Sequence, residues 1–354
     1  MNIQNLKDLI SHSIDLTSYM TKGLAARGTL APNILTNPAL NAKRSFSVVS
    51  ASIHSTTHIE FPWTFRTENI VESDYPEGEC PFPPLADPSA EEILKDYHRT
   101  KVFRALIIDF SERNTIIENA LSNHGIAELD GIPQLLSPDM PSKEYDTLLE
   151  ELCISFDSIA AKLPTTRLLS GTFLAIYTGW ERWRPSFKNI DHPFFEAVHP
   201  FLLHPYLDET SIQRLLNAGI EGLGTDTYGS ECPLYYIDEY IALPAVKTSH
   251  ARALSDGKVG RTIAFPPLPP VHYNILRKYK ILIEMLYIRG DLFVDHQGLQ
   301  DPRVRPIPFG DRKLFRKGVV IIQPIQIGNV PEGDSPPDAT FARVTFFPEE
   351  VVKW

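Results

Sequence analysis

The spacing of apolar positions along the chain switches between a strand period and a helix period, and the switches mark its elements. Residues 101–111 (KVFRALIIDFS) hold a continuous apolar run, the pattern of a strand covered on both faces. Residues 172–180 (TFLAIYTGW), 280–286 (KILIEML) and 318–327 (GVVIIQPIQI) read the same way. Residues 45–60 are rich in β-branched and small side chains and predict a further strand, and 340–348 alternate well enough for a last one. Helical spacing fills much of 112–165, clearest in EYDTLLEELCISFDSIAAKL. It returns in 209–219, with Thr210 or Ser211 as the expected N-cap and Gly219 as the stop, and in 271–279 behind a run of prolines. A short amphipathic helix is expected within residues 1–30 and a short strand at 219–227. Strand–helix–strand alternation predicts an α/β fold.

The 30 prolines gather in clusters, such as Pro81, Pro83, Pro84 and Pro88, which punctuate a folded chain. The acidic, proline-rich stretch 66–100 reads as a surface excursion and 228–270 as a long loop. Together with 112–165 they are expected to be insertions in a single domain spanning 1–354.

With 34 basic against 44 acidic residues the net charge is −10, which repels phosphate backbones and argues against nucleic acid. Cys80, Cys153 and Cys232 are widely spaced and form no CxxC pair, so no disulfide framework or zinc ribbon is indicated. No apolar run approaches a membrane span and no signal-peptide pattern opens the chain. A cytoplasmic protein acting on a small molecule is the expectation.

The sharpest chemical feature is His54-Ser-Thr-Thr-His58-Ile-Glu60. In an extended chain side chains alternate faces, so positions 54, 58 and 60 point the same way. On a helix Glu60 would lie about 200° around from His58. The strand reading therefore makes a face of two imidazoles and a carboxylate, ligands that suit zinc, manganese or iron(II). An ordinary polar strand face is the bland alternative. A second pair stands later in the chain: His272 beside the prolines, and Glu284 inside the apolar run Ile281–Leu286. A carboxylate there is costly unless it is paired or bound. As one helix, 271–286 would hold the two about 18 Å apart. If the helix ends near Tyr279 and a strand follows, they can converge. For Glu284 the alternative is an ion pair with Arg277, Lys280 or Arg289.

Trp63, Phe65 and Trp180 are candidates for an aromatic pocket, with core packing as the alternative. Asp226 could orient a ligand or close a strand-end turn. His192, His199 and His204 sit among prolines and read as loop residues.

These residues resemble the cyclase-like superfamily that includes bacterial kynurenine formamidase and isatin hydrolase. Its metal motif is H-x-G-T-H-x-D-x-P-x-H, and His54, Thr57, His58 and Pro62 match in register. The spacing of His272 and Glu284 also matches. IDLT (14–17), LAIYTGW (174–180), AGIEGLGTDTYGSE (218–231) and GDSPPDATFARV (333–344) resemble further segments in the same order. The resemblance implies a swivelling mixed β-barrel or sheet flanked by helices, assembled as a homodimer or homotetramer. It implies hydrolysis of an amide or lactam C–N bond, or a related cyclisation, with zinc or manganese. By position, His54, His58 and Glu60 would hold the metal. His272 and Glu284 would be catalytic, or would bind a second ion. Trp63, Thr64, Phe65, Trp180 and Asp226 would meet substrate. Thr56 stands for the motif glycine, Glu60 for aspartate and Thr64 for the final histidine. Threonine does not titrate near neutrality, so one well-held ion is expected rather than two, and a metal-free chain that serves as a binding module is the alternative.

Overall fold

The computed structural model describes residues 13–17, 31–35, 46–50, 57–65, 75, 80–84, 87–123, 142–180, 204–227, 229–233, 268–293, 313–324 and 339–352. The strands are β1 (Ile14–Asp15), β2 (Ala31–Leu35), β3 (Phe46–Ser50), β4 (His58–Glu60), β5 (Lys101–Asp109), β6 (Cys153–Ile154), β7 (Thr172–Tyr177), β8 (Tyr206–Leu207), β9 (Gly222–Thr225), β10 (Ile281–Glu284), β11 (Phe315–Pro324) and β12 (Ala339–Pro348). The helices are α1 (Pro88–Tyr97), α2 (Arg113–Asn123), α3 (Ser142–Leu152), α4 (Phe156–Ala161), α5 (Glu209–Asn217) and α6 (Pro270–Leu276).

Strands β12-β11-β5-β7-β9-β10-β4 follow one another, and β4 pairs back onto β12, which closes seven strands into a mixed barrel. Strands β5, β7, β9 and β10 run parallel, and the other barrel strands pair antiparallel. The expected α/β fold, a mixed barrel flanked by helices, is what the chain adopts. Short β1 adds to the outside of β12, while β2–β3 and β6–β8 form separate ribbons.

Two apolar cores sit on the two faces of the strands. Leu106, Ile108, Leu174, Ile176 and Leu223 pack with Ile212, Leu215 and Ile275 of the helices. Ile59, Ile107, Phe173, Ala175, Ile283 and Phe346 pack on the other face. Successive residues of one strand thus enter opposite cores, which is why these strands read as unbroken apolar runs. Close strand approach requires glycine at 318, where a Cβ would lie 2.1 Å from the carbonyl oxygen of Phe347.

Several expectations are corrected. The stretch 66–100 is not all surface: it contains α1, and Tyr75, Phe82, Ala90 and Tyr97 are buried. Asp87 caps α1 by accepting from the Ser89 amide, with Pro88 at the first turn. Within 45–60, β3 joins the ribbon with β2 and β4 joins the barrel. The N-cap of α5 is Asp208, which accepts from Ser211, rather than Thr210 or Ser211. Gly219, with φ +89°, does end that helix. Strand β7 stops at Tyr177, beyond which the amides of Thr178 and Trp180 donate to Asp226. The proposed N-terminal helix, and most of 228–270, lie outside the described residues.

Candidate metal centre

The site follows from strand register. Strand β10 runs antiparallel to β4 with Glu284 opposite His58 and Ile283 opposite Ile59. Directly opposed residues share a face, and Glu60, two residues past His58, shares it too. The His58 Nε2 atom lies 2.7 Å from Glu60 Oε1 and 3.8 Å from Glu284 Oε2. Ligand atoms of these three buried residues all lie within 4.8 Å of one another.

His272 approaches from α6. That helix ends at Leu276, Tyr279 takes a left-handed φ of 52°, and β10 begins at Ile281. The turn brings His272 Nε2 to 3.5 Å from Glu284 Oε1, the convergence that a single long helix would have forbidden. Past Glu284 the chain turns again at Met285, whose φ is 59°. A non-glycine residue there costs on the order of 1 kcal/mol. Thr57 Oγ1 donates to the Met285 carbonyl at 2.8 Å, and the Met285 and Leu286 amides donate to Thr227 and Thr225 at 3.1 and 2.9 Å. The strained turn is therefore held from both neighbouring strands.

Sequence reasoning passed over Ser230 and Glu231. The Ser230 amide and hydroxyl donate to Glu284 Oε1 at 2.7 and 2.9 Å. Glu231 Oε1 accepts from the His272 amide at 2.7 Å and from His272 Nδ1 at 3.0 Å. A glutamate ending GTDTYGSE gave the one available signal, since nothing in the period of that segment calls for a charge. Burial alone would lower the pKa of His272. The carboxylates of Glu284, Glu231 and Glu60 outweigh it and push the imidazole up to about 9. Burial raises the Glu284 carboxyl above the ordinary range and the charge of Glu60 adds to this, while His272 and His58 pull the other way.

The remaining candidates are placed differently. Trp63 is buried and its indole Nε1 donates to the Pro83 carbonyl at 3.1 Å. Trp180 is buried, and its amide donates to Asp226 Oδ2 at 3.1 Å. Asp226 Oδ1 also accepts from the Thr178 amide and hydroxyl at 3.0 and 2.9 Å, so it braces the Thr178–Trp180 turn. Thr64 and Phe65 continue the 3-10 turn Pro62–Phe65 that follows β4. Their side chains, and all of His54, lie outside the described residues, as do His192 and His199. His204 Nε2 lies 3.0 Å from the Glu231 carbonyl.

A family model described as "Putative cyclase" matches residues 10–231. The chain belongs to the Cyclase family. The match takes in His58, Glu60, Ser230 and Glu231 and stops before His272 and Glu284. No curated protein matches the sequence. Among solved structures, isatin hydrolase A from Ralstonia solanacearum is 15% identical, with 98% of this chain and 97% of that chain covered and a TM-score of 0.44. Isatin hydrolase A from Labrenzia aggregata, bound to benzyl benzoate, is 17% identical, with 97% of each chain covered and a TM-score of 0.42. A potential metal-dependent hydrolase with cyclase activity is 17% identical, with 94% of this chain and 96% of that chain covered and a TM-score of 0.34. Family membership rests on the sequence match, not on these likenesses. Among the described residues, no helix is long and apolar enough to cross a membrane.

Proposed function

We propose that this Cyclase-family protein is a metal-dependent hydrolase acting on an amide or lactam C–N bond of a small cyclic or aromatic molecule. The observation that carries the reading is the buried convergence of His58, Glu60 and Glu284 on one barrel face, with His272 Nε2 beside them.

The residues fit a divalent cation. Nitrogen and carboxylate oxygen are the donors that zinc and manganese take. Three buried carboxylates, Glu60, Glu231 and Glu284, gather around two imidazoles, and among the described residues Glu231 Oε2 makes no hydrogen bond. Negative charge so concentrated away from water calls for a compensating cation. His58, Glu60 and Glu284 would hold one ion, joined by His54 if the strand parity of the motif extends back to it. Such an ion supplies Lewis acidity, polarising a carbonyl and making water more acidic.

The chain's own residues do the rest. His272 presents Nε2 to the site and can hold or release a proton there. Ser230 fixes the Glu284 carboxylate. Trp63, Thr64, Phe65, Trp180 and Asp226 are the proposed substrate contacts, and Asp226 also braces the Thr178–Trp180 turn. Thr64 has no titrating proton, so acid–base work falls to His272.

The test uses protein loaded with zinc or manganese and a panel of formamides, lactams and linear cyclisation precursors in ¹⁸O-labelled water. Hydrolysis predicts label in the carboxylic acid product. Turnover with no label would replace the hydrolase by a cyclase or dehydratase.

A further inference from the structure

We propose that Ser230 and Glu231 form a two-residue clamp, in which Glu231 is the positioning residue that fixes the ring orientation and tautomer of His272.

Adjacent residues grip the two late site residues. Ser230 holds Glu284 through its amide and hydroxyl, and Glu231 holds His272 through one carboxylate oxygen. That oxygen accepts from the backbone amide and from Nδ1 of the same histidine, which defines the ring against its own main chain. A carboxylate only accepts, so Nδ1 at 3.0 Å carries a proton in either charge state, and in the neutral ring Nε2, 3.5 Å from Glu284, is the bare nitrogen. Among the described residues Glu231 Oε2 makes no hydrogen bond, and both bonds to Oε1 come from His272.

The clamp is itself held. The Leu207 amide donates to the Ser230 carbonyl at 3.1 Å, and His204 Nε2 donates to the Glu231 carbonyl at 3.0 Å. The Thr227 hydroxyl donates to the Gly229 carbonyl at 2.7 Å. His204, which reads as a loop residue in sequence, thus supports the backbone of Glu231.

Helix capping is the competing account. Pro269, at the N-cap of α6, makes no side-chain cap bond, and Glu231 serves the His272 amide in its place. Capping alone predicts a loss of stability on removing the carboxylate and no change in the tautomer of the ring. The positioning role predicts both. Ring orientation is a property of the folded chain; only its effect on turnover rests on the proposed function.

The experiment is ¹⁵N NMR of metal-free, ¹⁵N-histidine-labelled full chain, recorded above the His272 titration. His272→Gln identifies the resonance among the 11 histidines. Wild type is expected to carry its proton on Nδ1. Glu231→Leu should move the population towards the Nε2–H form, and Glu231→Gln, whose amide oxygen still accepts, should restore Nδ1–H. Unchanged Nδ1–H in a folded Glu231→Leu chain would overturn the proposal. If that variant fails to fold, Glu231→Gln decides. A neutral acceptor should shift the Nδ1 proton resonance upfield, and an unmoved resonance overturns the proposal. Where turnover is found, Glu231→Leu should lower kcat at least tenfold with KM little changed. Absence of turnover would count against the hydrolase reading and leave the NMR result standing.

Discussion

Near neutral pH the His272 imidazole of the metal-free chain is a cation among Glu231, Glu284 and Glu60. Its pKa is raised from the ordinary value near 6.5 to about 9. The ion-pair contribution to stability is therefore complete below about pH 6.5 and is lost as pH rises through 9. Its size is on the order of 3 kcal/mol at most. Urea denaturation of metal-free protein at pH 6 and pH 9.5 should show this fall, and His272→Gln should remove it. An equal fall in the variant would assign the effect to other groups. At this scale the sequence was partly legible. His58, Glu60, His272 and Glu284 stand out as polar residues in apolar or extended settings. Glu231 does not, because its partner lies 41 residues away and only the fold brings them together.

Among the elements, β4 and β10 make the site and β11 and β12 make the barrel that presents it. The strands were readable because burial on two faces leaves an unbroken apolar run. Helix α1 was not, since its prolines and acids resemble a loop until Asp87 and Pro88 are read as cap and first turn. Residues 45–60 read as one strand, but pairing depends on distant partners, so composition does not separate β3 from β4. Gly318 tests the barrel directly. Gly318→Ala places a methyl group against the Phe347 carbonyl and the Phe346 ring, so strands β11 and β12 must part. A loss of about 1–3 kcal/mol in unfolding free energy is expected, the usual cost of overpacking. A variant as stable as wild type would show that the strands separate freely there.

For the whole molecule, closure of β4 onto β12 and β10 is what turns a strand face into a buried centre. The composition shows an excess of acidic residues but does not say where charge is buried. A cation held across β4 and β10 should couple binding to folding. At a metal concentration 100-fold above Kd the stabilisation should be about 2.7 kcal/mol. The most direct measurement is metal content after dialysis against a weak chelator, for wild type, His58→Ala and Glu284→Gln, each checked for folding. The account predicts close to one zinc or manganese ion per wild-type chain and a marked loss in both variants. A folded wild-type chain that retains no ion and gains no stability from added zinc or manganese would contradict it.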